Sequence, residues 1–257
     1  MHARSPHPVR TAILALALTL ALAPGPATGA LAVQAGQSCR IGTPVTGTVA
    51  AAEGGGFAVA GVEGTFRLAG LVEPVVPGAG TAVILHVVGE ADRYGMRPVQ
   101  AFDAGGWVQG RALREGRARA LPVETGGACR DAHWKAEQRA RSARRGGWKS
   151  AWRVHAARKP DALRERVGTF SVIVGTVRSV GVRERRIYLN FGTVWRKDVT
   201  GILATRGRGV FKGDRAEMEA LKGRRVRLRG MLEWRGGPLI RLFDRGQIEV
   251  DVEAPHS

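Results

Sequence analysis

The sequence has 257 residues but only two cysteines, six histidines and few aromatic residues, and it lacks the short motifs that announce most catalytic sites. No Cys-x-x-Cys or His-Glu-x-x-His pattern occurs, so zinc binding is not indicated. No Gly-x-Ser-x-Gly occurs, and the glycine run at residues 54–56 lacks the lysine and the following helix of a phosphate-binding loop. The motifs therefore indicate no zinc, serine-nucleophile or nucleotide site.

Long apolar runs are also absent after the amino terminus. Residues 1–32 are typical of a signal peptide, with Arg4 and Arg10, an apolar run over 12–23, and the small-x-small pattern Ala30-Leu31-Ala32. The run is shorter than the about 20 residues needed to span a bilayer. We expect an exported protein, periplasmic or secreted, with no membrane span after cleavage. The alternative is a retained amino-terminal anchor.

The two cysteines, Cys39 and Cys129, both lie after the predicted cleavage site. An even count in an exported chain favours one disulfide, because export exposes thiols to an oxidising compartment. The alternative is two free, buried thiols.

Acidic residues are scarce, and the formal net charge is +18. Residues 33–150 carry 15 basic and 10 acidic residues, whereas residues 151–257 carry 23 and 12, so the excess lies in the second part. Such a charge predicts a polyanionic partner. Nucleic acid is the first candidate, and an anionic membrane surface or envelope polymer is the other.

Short strand patterns separated by glycines dominate the chain and predict a mainly β fold with helices (α+β). The first group covers 46–51, 57–60, 65–71, 81–88 and 98–102, followed by helices over 107–115 and about 130–145. Five strands followed by helices indicate a five-stranded OB-type barrel over 33–148. Residues 149–166 are interpreted as a linker.

A second strand-rich region follows over 167–253. Its predicted strands cover 169–180, 186–191, 224–234, 238–243 and 247–250, with a short helix over 214–221. This pattern predicts a second small barrel, again of OB type.

Four blocks of the first region resemble the thermonuclease (staphylococcal nuclease-like) family. They are Glu53-Gly-Gly-Gly-Phe57, Thr65-Phe-Arg-Leu-Ala-Gly-Leu-Val-Glu-Pro74, Asp92-Arg-Tyr-Gly-Met-Arg97 and Arg144-Arg-Gly-Gly-Trp148. The family has Asp-Gly-Asp-Thr, Arg-Leu-x-Gly-Ile-Asp-x-Pro-Glu and Asp-x-Tyr-Gly-Arg at the first three. The second region is similar to a carboxy-terminal domain of some bacterial thermonuclease-like proteins, in residues 188–192 and 229–238. The resemblance implies an OB-type barrel and calcium-dependent phosphodiester hydrolysis.

The family's functional residues are mostly replaced here. A calcium phosphodiesterase needs carboxylates for the ion, a base for water and arginines for the phosphoryl charge. Of the five positions that the resemblance assigns, only one keeps its residue, Arg67. The other four carry Gly55, Val72, Val75 and Met96. The chain therefore resembles a degenerate member that binds no metal or cofactor.

Neighbouring residues offer a weak substitute site. Glu73 follows Val72, and Glu53 takes the place of the first Asp, so a rearranged calcium site from these two acids is the alternative. Arg67 has two open interpretations, contact with phosphate or pairing with an acid such as Glu73 or Glu90.

Basic residues at strand spacing suggest polyanion contact. In residues 224–234, Arg225, Arg227 and Arg229 alternate with Val226 and Leu228, which predicts one basic and one apolar strand face. Tyr188, Phe191, Trp195 and Trp234 are either stacking surfaces or core residues. With these arginines we group the first-barrel cations Arg67, Arg93 and Arg97.

Three functions remain open from the sequence. The first is a catalytically degenerate, exported protein that binds nucleic acid or another polyanion. The second is an active calcium-dependent nuclease with rearranged ligands. The third is an envelope module that binds another protein.

Overall fold

The computed structural model describes residues 36–194, 197–205, 211 and 214–252. The predicted signal peptide and Trp195 lie outside these ranges. In the ranges described, no helix combines the length and the apolar character that crossing a membrane requires. The fold is mainly β with few helices, as predicted.

The first sheet closes into a five-stranded barrel. The strand order is β3-β2-β1-β4-β5, and a parallel pairing between β3 and β5 closes it, with β6 added next to β5. Alternate residues point inward and form a core that includes Val49, Phe57, Phe66 and Leu85. The strands are β1 (Pro44–Glu53), β2 (Gly56–Val59), β3 (Val62–Leu68), β4 (Ala82–Val87), β5 (Met96–Asp103) and β6 (Gly106–Trp107).

Two helices follow the barrel, as the sequence predicts. Helix α1 (Val108–Glu115) ends at Gly116, whose φ of +69° suits glycine, and a Cβ there would lie 2.2 Å from the Arg145 carbonyl oxygen. Helix α2 (Gly127–Ser142) begins and ends about three residues earlier than predicted. Cys129 in α2 forms the predicted disulfide with Cys39, so the free-thiol alternative is wrong.

The second sheet contains more strands than the sequence predicts. Its order is β7-β8-β12-β13-β11-β10-β9, with β14 on β12, and β11 runs parallel to β13. The strands are β7 (Val154–Ala156), β8 (Phe170–Thr176), β9 (Ser179–Arg183), β10 (Arg186–Asn190), β11 (Thr200–Ala204), β12 (Arg225–Trp234), β13 (Pro238–Leu242) and β14 (Ile248–Val250), with helix α3 (Arg215–Glu219) before β12. Strands β7 and β11 were not predicted, and the predicted strand over 169–180 covers β8 but only the first two residues of β9.

The segment interpreted as a linker is built into the second sheet. Its strand β7 pairs with β8, and a 3₁₀ helix over Pro160–Arg166 buries Leu163 completely in the second core. The chain therefore passes from the first sheet to the second without an extended linker.

An apolar cluster joins the two sheets. Ala140 and Trp148 from the first region pack with Phe170 and Val172 from β8, and all four are buried. The backbones also approach closely, because a Cβ on Gly246 would lie 2.2 Å from the carbonyl oxygen of Pro122. We call this contact the inter-sheet interface.

Candidate nucleic-acid interface

The turn that carries Gly55 has a glycine conformation. Gly54 and Gly55 join β1 to β2 with φ of +58° and +84°, so both central residues of a two-residue hairpin have positive φ. A Cβ at position 55 would lie 3.2 Å from Cβ of Pro74. Glu53, before the turn, is exposed. Position 55 thus shapes a hairpin and supplies no ligand atom.

The other replaced positions are used for packing. Val72 packs against the apolar cluster of the inter-sheet interface, and Val75 packs against the cores of the first barrel. Met96 places its sulfur beside Gly56, where a Cβ would lie 2.8 Å from it. Apolar contacts therefore occupy the positions that the resemblance assigns to a metal ligand, a base and an arginine.

Glu73 is fully engaged by Arg119. Its Oε2 accepts a hydrogen bond from the Arg119 backbone N–H at 2.6 Å, and its Oε1 accepts from Arg119 Nε at 2.8 Å. Arg119 also donates from Nη1 to the Phe170 carbonyl at 2.9 Å, across the inter-sheet interface. The carboxylate of Glu73 thus holds an arginine at the interface.

Arg67 is paired with two acids, although not with those named from the sequence. Its Nε lies 3.1 Å from Asp92 and its Nη2 lies 3.3 Å from Glu124. Desolvation raises the pKa of Asp92, but the backbone N–H groups of Tyr94 and Met96 and the Arg67 guanidinium outweigh it, so the pKa lies below its usual value. The predicted partners Glu73 and Glu90 are therefore wrong. Of the two interpretations of Arg67, the contacts favour ion pairing over phosphate binding.

The side chains at the positions that the resemblance assigns to calcium do not fit this ion. Calcium takes six to eight oxygen ligands, and here one family carboxylate position is glycine, two are valine, and Glu73, which follows Val72, is bound to Arg119. Across the described ranges, the one group of three candidate ligands is Cys39, Cys129 and His133. Its two sulfurs are bonded to each other, so that group is not a metal site either.

Arg93 and Arg97 remain on the surface of the first barrel. Arg93 is exposed and stacks on Tyr94, with 4.7 Å from its guanidinium carbon to the ring centroid. Arg97 is exposed in β5. Both stay predicted polyanion contacts.

The predicted basic face of β12 is wrong for two of its three arginines. Arg229 is completely buried and Arg227 is 7% exposed, because β12 is covered on both sides. Arg229 Nη2 lies 2.7 Å from Glu137 in α2 and 2.9 Å from Glu249 in β14. A polyanion cannot reach these cations. Arg229 instead joins the second sheet to α2, while Arg227 pairs with Glu249 inside the second sheet. Arg225 is half-buried.

The buried charges stabilise one another's ionised forms. Burial opposes the charge of Arg229, but Glu137 and Glu249 outweigh it and raise its pKa. Burial likewise raises the pKa of Glu249, yet Arg229 and Arg227 prevail and lower it to about 2. Glu137 also accepts from the Ala120 backbone N–H at 2.9 Å. Removal of one partner from such a buried pair is strongly destabilising, because it leaves an uncompensated buried charge.

A groove open to solvent lies on the second sheet. It measures about 440 Å³ and is formed by β9, β10, β11 and β13 together with the loop between β12 and β13. Arg183, Arg186 and Arg235 are exposed around it, and Ile202 and Leu239 contribute apolar surface. We call it the sheet groove.

Two arginines of the sheet groove stand directly opposite each other. Arg183 and Arg186 pair across the β9–β10 hairpin, where like charges are destabilising. In the described ranges neither forms an ion pair, and Arg235 lies 3.7 Å from Glu233. One carboxylate, Asp198, also lines the groove. Three arginines thus face a single half-buried acid, and the groove carries a net positive charge.

Tyr188 lies in the sheet groove beside a residue that has no side chain. It pairs with Gly181 on one neighbouring strand and Ile202 on the other, and it is half-buried. Since Gly181 covers none of the ring, one side of Tyr188 faces the groove. Asn190, two residues along the same strand face, places an amide there.

Tyr188 was identified from the sequence, whereas Arg183, Arg186 and Arg235 were not. A signal was present, since Arg183-Glu-Arg-Arg186 and Arg235-Gly-Gly237 are basic turns flanking predicted strands. The parallel pairing of β11 with β13 places the two turns at opposite ends of the groove, because Arg186 lies opposite Ala204 and Leu239 lies opposite Thr200.

A comparison with protein-family models finds no match, and a comparison with curated proteins finds none either.

Proposed function

We propose that the protein is a non-catalytic binding protein for single-stranded nucleic acid, and that the strand lies in the sheet groove. The observation that carries the proposal is the like-charged pair Arg183 and Arg186 beside the uncovered side of the Tyr188 ring. Proteins that bind single strands without sequence preference combine a basic groove with aromatic rings on which bases stack.

The topology supports this position for the ligand. Only two residues separate β8 from β9, and if both are one bent strand, the pairing order matches that of the first barrel. We infer that the second sheet is also of OB type. OB folds bind oligonucleotides on the face of their second and third strands, next to the loops joining strands 1–2 and 4–5. Here these are β10, β11, the turn at 184–185 and the loop at 235–237.

The first barrel belongs to the proposal as a scaffold. Its topology and its two helices support the resemblance to thermonucleases, while Gly55, Val72 and Val75 provide no calcium ligand. The alternative, a calcium-dependent nuclease with rearranged ligands, requires Glu73 to leave Arg119. A DNA-degradation assay with calcium and with chelator separates the two, and we expect no calcium-dependent cleavage.

Export remains part of the proposal. The buried Cys39–Cys129 disulfide supports an oxidising compartment, since such bonds are rare where thiols are kept reduced. Fractionation of the native host cells tests it, with the processed chain expected outside the cytoplasm.

The chain has two tyrosines, which provide a matched pair of variants. Tyr188→Ala is expected to weaken binding of a labelled oligothymidylate by about 1–3 kcal/mol, the range for loss of one stacked base. Tyr94→Ala removes a ring that is 69% exposed and lies beside Arg93 on the first barrel, and it should leave affinity almost unchanged. Fluorescence anisotropy gives both values.

Three outcomes would count against this function. Equal losses in the two tyrosine variants would place the ligand elsewhere. Inorganic polyphosphate that binds as tightly as the oligonucleotide, and indifferently to Tyr188→Ala, would indicate a polyanion recognised by charge alone. Affinity that does not fall as salt rises would remove nucleic acid altogether, because phosphate contacts release counterions.

A further inference from the structure

A second basic pocket lies next to the sheet groove. It measures about 470 Å³ and opens between the end of β7, the end of β8 and the start of β12. Among the residues that the structure describes, four cationic side chains line it and no carboxylate does. They are Arg158, Arg178, Lys222 and Arg225. We call it the basic pocket.

The cations of the basic pocket have no acidic partners in the part of the chain that the structure describes. The neighbouring Arg224 shows the contrast, because its Nε donates to Asp251 at 2.7 Å and it points away from the pocket lining. Arg225 Nε is buried without a hydrogen-bond partner. Four cations without a counter-charge make the pocket a place of positive potential, where an anion is stabilised.

The basic pocket and the sheet groove meet at consecutive residues. Asn190 lines the groove, and Phe191 lines the pocket. Arg178, which lines the pocket, donates its backbone N–H to the Asn190 carbonyl at 2.8 Å. Asn190 and Phe191 project from opposite faces of the strand, so the two surfaces meet through the backbone at the end of β10.

The lining of the basic pocket suits phosphate rather than a base. Its single aromatic, Phe191, is half-buried and packs around Gly175, where a Cβ would lie 2.7 Å from the ring. Its cations are long side chains from three separate segments. Lysine and arginine contacts to phosphate position a strand without reading its sequence.

We propose that the basic pocket binds the backbone phosphates of the nucleic-acid strand whose bases occupy the sheet groove. This inference rests on the proposed function and adds a second, sequence-independent contact region to it. A strand long enough to cover both surfaces then contacts more phosphates than one confined to the groove.

Two oligothymidylates test the inference, one of about 5 and one of about 20 nucleotides, since a single OB fold covers roughly 4–16. The variant combines Arg158→Gln with Lys222→Gln, both exposed residues of the basic pocket. The matched control combines Arg139→Gln with Lys135→Gln, which removes one arginine and one lysine from the exposed face of α2. Circular dichroism verifies that all variants are folded.

The pocket variant should weaken binding of the long strand and leave that of the short strand unchanged. The slope of log affinity against log salt for the long strand should fall by about 1.4, which corresponds to two phosphate contacts at about 0.7 each. The control should move neither value by a comparable amount.

The outcomes separate the inference from the proposed function. If the pocket variant binds both lengths as the unmodified protein does, while Tyr188→Ala still weakens binding, the inference is wrong and the proposed function stands. Equal losses for the pocket variant and the α2 control would also overturn the inference, because only net charge would then matter. Loss of the Tyr188 effect itself would overturn the proposed function.

Discussion

Arginines at the inter-sheet interface and around the sheet groove have opposite surroundings. At the interface, Arg119 and Arg229 contact carboxylates and carbonyls across elements, and Arg229 is completely buried. Around the groove, Arg183 and Arg186 face each other and water. Stability explains the first pair of residues. It does not explain the second, since adjacent like charges oppose folding.

The comparison shows that the function of a basic strand depends on partners distant in the chain. Arg229 is 92 residues from Glu137, which neutralises it. Arg186 has no such partner in the described ranges, so its charge stays uncompensated. Net charge alone does not distinguish the two situations.

Removing the partner of a buried arginine should give the largest effect on stability. Glu137→Ala leaves Arg229 with Glu249 alone and unpairs the Ala120 N–H, and we expect a loss of about 3–5 kcal/mol in the free energy of unfolding. Urea denaturation measures it. A loss below about 1 kcal/mol would mean that the interface charges are no more important to stability than surface charges.

Breaking the disulfide tests whether the interface couples the two sheets. Cys39 and Cys129 are 90 residues apart, and reduction should lower the free energy of unfolding by about 2–4 kcal/mol. Because the sheets share a buried cluster, we expect amide hydrogen exchange in β10 and β12 of the second sheet to report the same transition as exchange in the first barrel. If the unfolding midpoint of the second sheet did not change with reductant, the interface would not couple the two sheets.

As the pH falls, protonation of His133 should destabilise the protein before protonation of Glu249 does. Burial lowers the pKa of His133 from 6.5 to about 4, so the folded state resists protonation. Stability is complete above pH 6.5 and falls as pH drops towards 4, by up to about 3 kcal/mol. Stability from Glu249, whose pKa is lowered to about 2, is lost only below about pH 4.5. Denaturation curves across pH should flatten between 6.5 and 4 in His133→Gln, and an unchanged curve would remove His133 as the cause.

The surface arginines should matter least to stability. Arg67→Gln removes part-exposed pairs with Asp92 and Glu124 and should cost about 0.2–1 kcal/mol. Arg186→Gln removes one of two opposed charges and should be neutral or slightly stabilising, within about 0.5 kcal/mol. Thermal unfolding of the two variants compares them directly. A loss above about 1 kcal/mol for Arg186→Gln would give that residue a structural role.

The first barrel could be predicted because its signals are local. Alternating apolar residues, glycine turns such as residues 54–55, and the stop at Gly116 define strands and helices within short windows. The disulfide followed from the cysteine count. The use of Glu73 could not be predicted, since its partner Arg119 lies 46 residues later and is held by a carbonyl of the second sheet.

The second sheet was predicted less completely, for a physical reason. Alternation in β12 indicates two faces, but both are covered, by α2 on one side and the second core on the other. The short strands β7 and β11 depend on pairing with distant strands for their stability. The sheet groove draws its cations from two turns about 50 residues apart, which no local pattern connects.

Photo-crosslinking of a single-stranded oligonucleotide carrying bromouracil, followed by mass spectrometry of the peptides, tests the central claim most directly. We expect crosslinks to the peptide that contains Tyr188, lost on competition with unlabelled strand. Crosslinks confined to peptides with Arg67, Arg93 or Arg97 would place the nucleic acid on the first barrel and show that the sheet groove does not bind it.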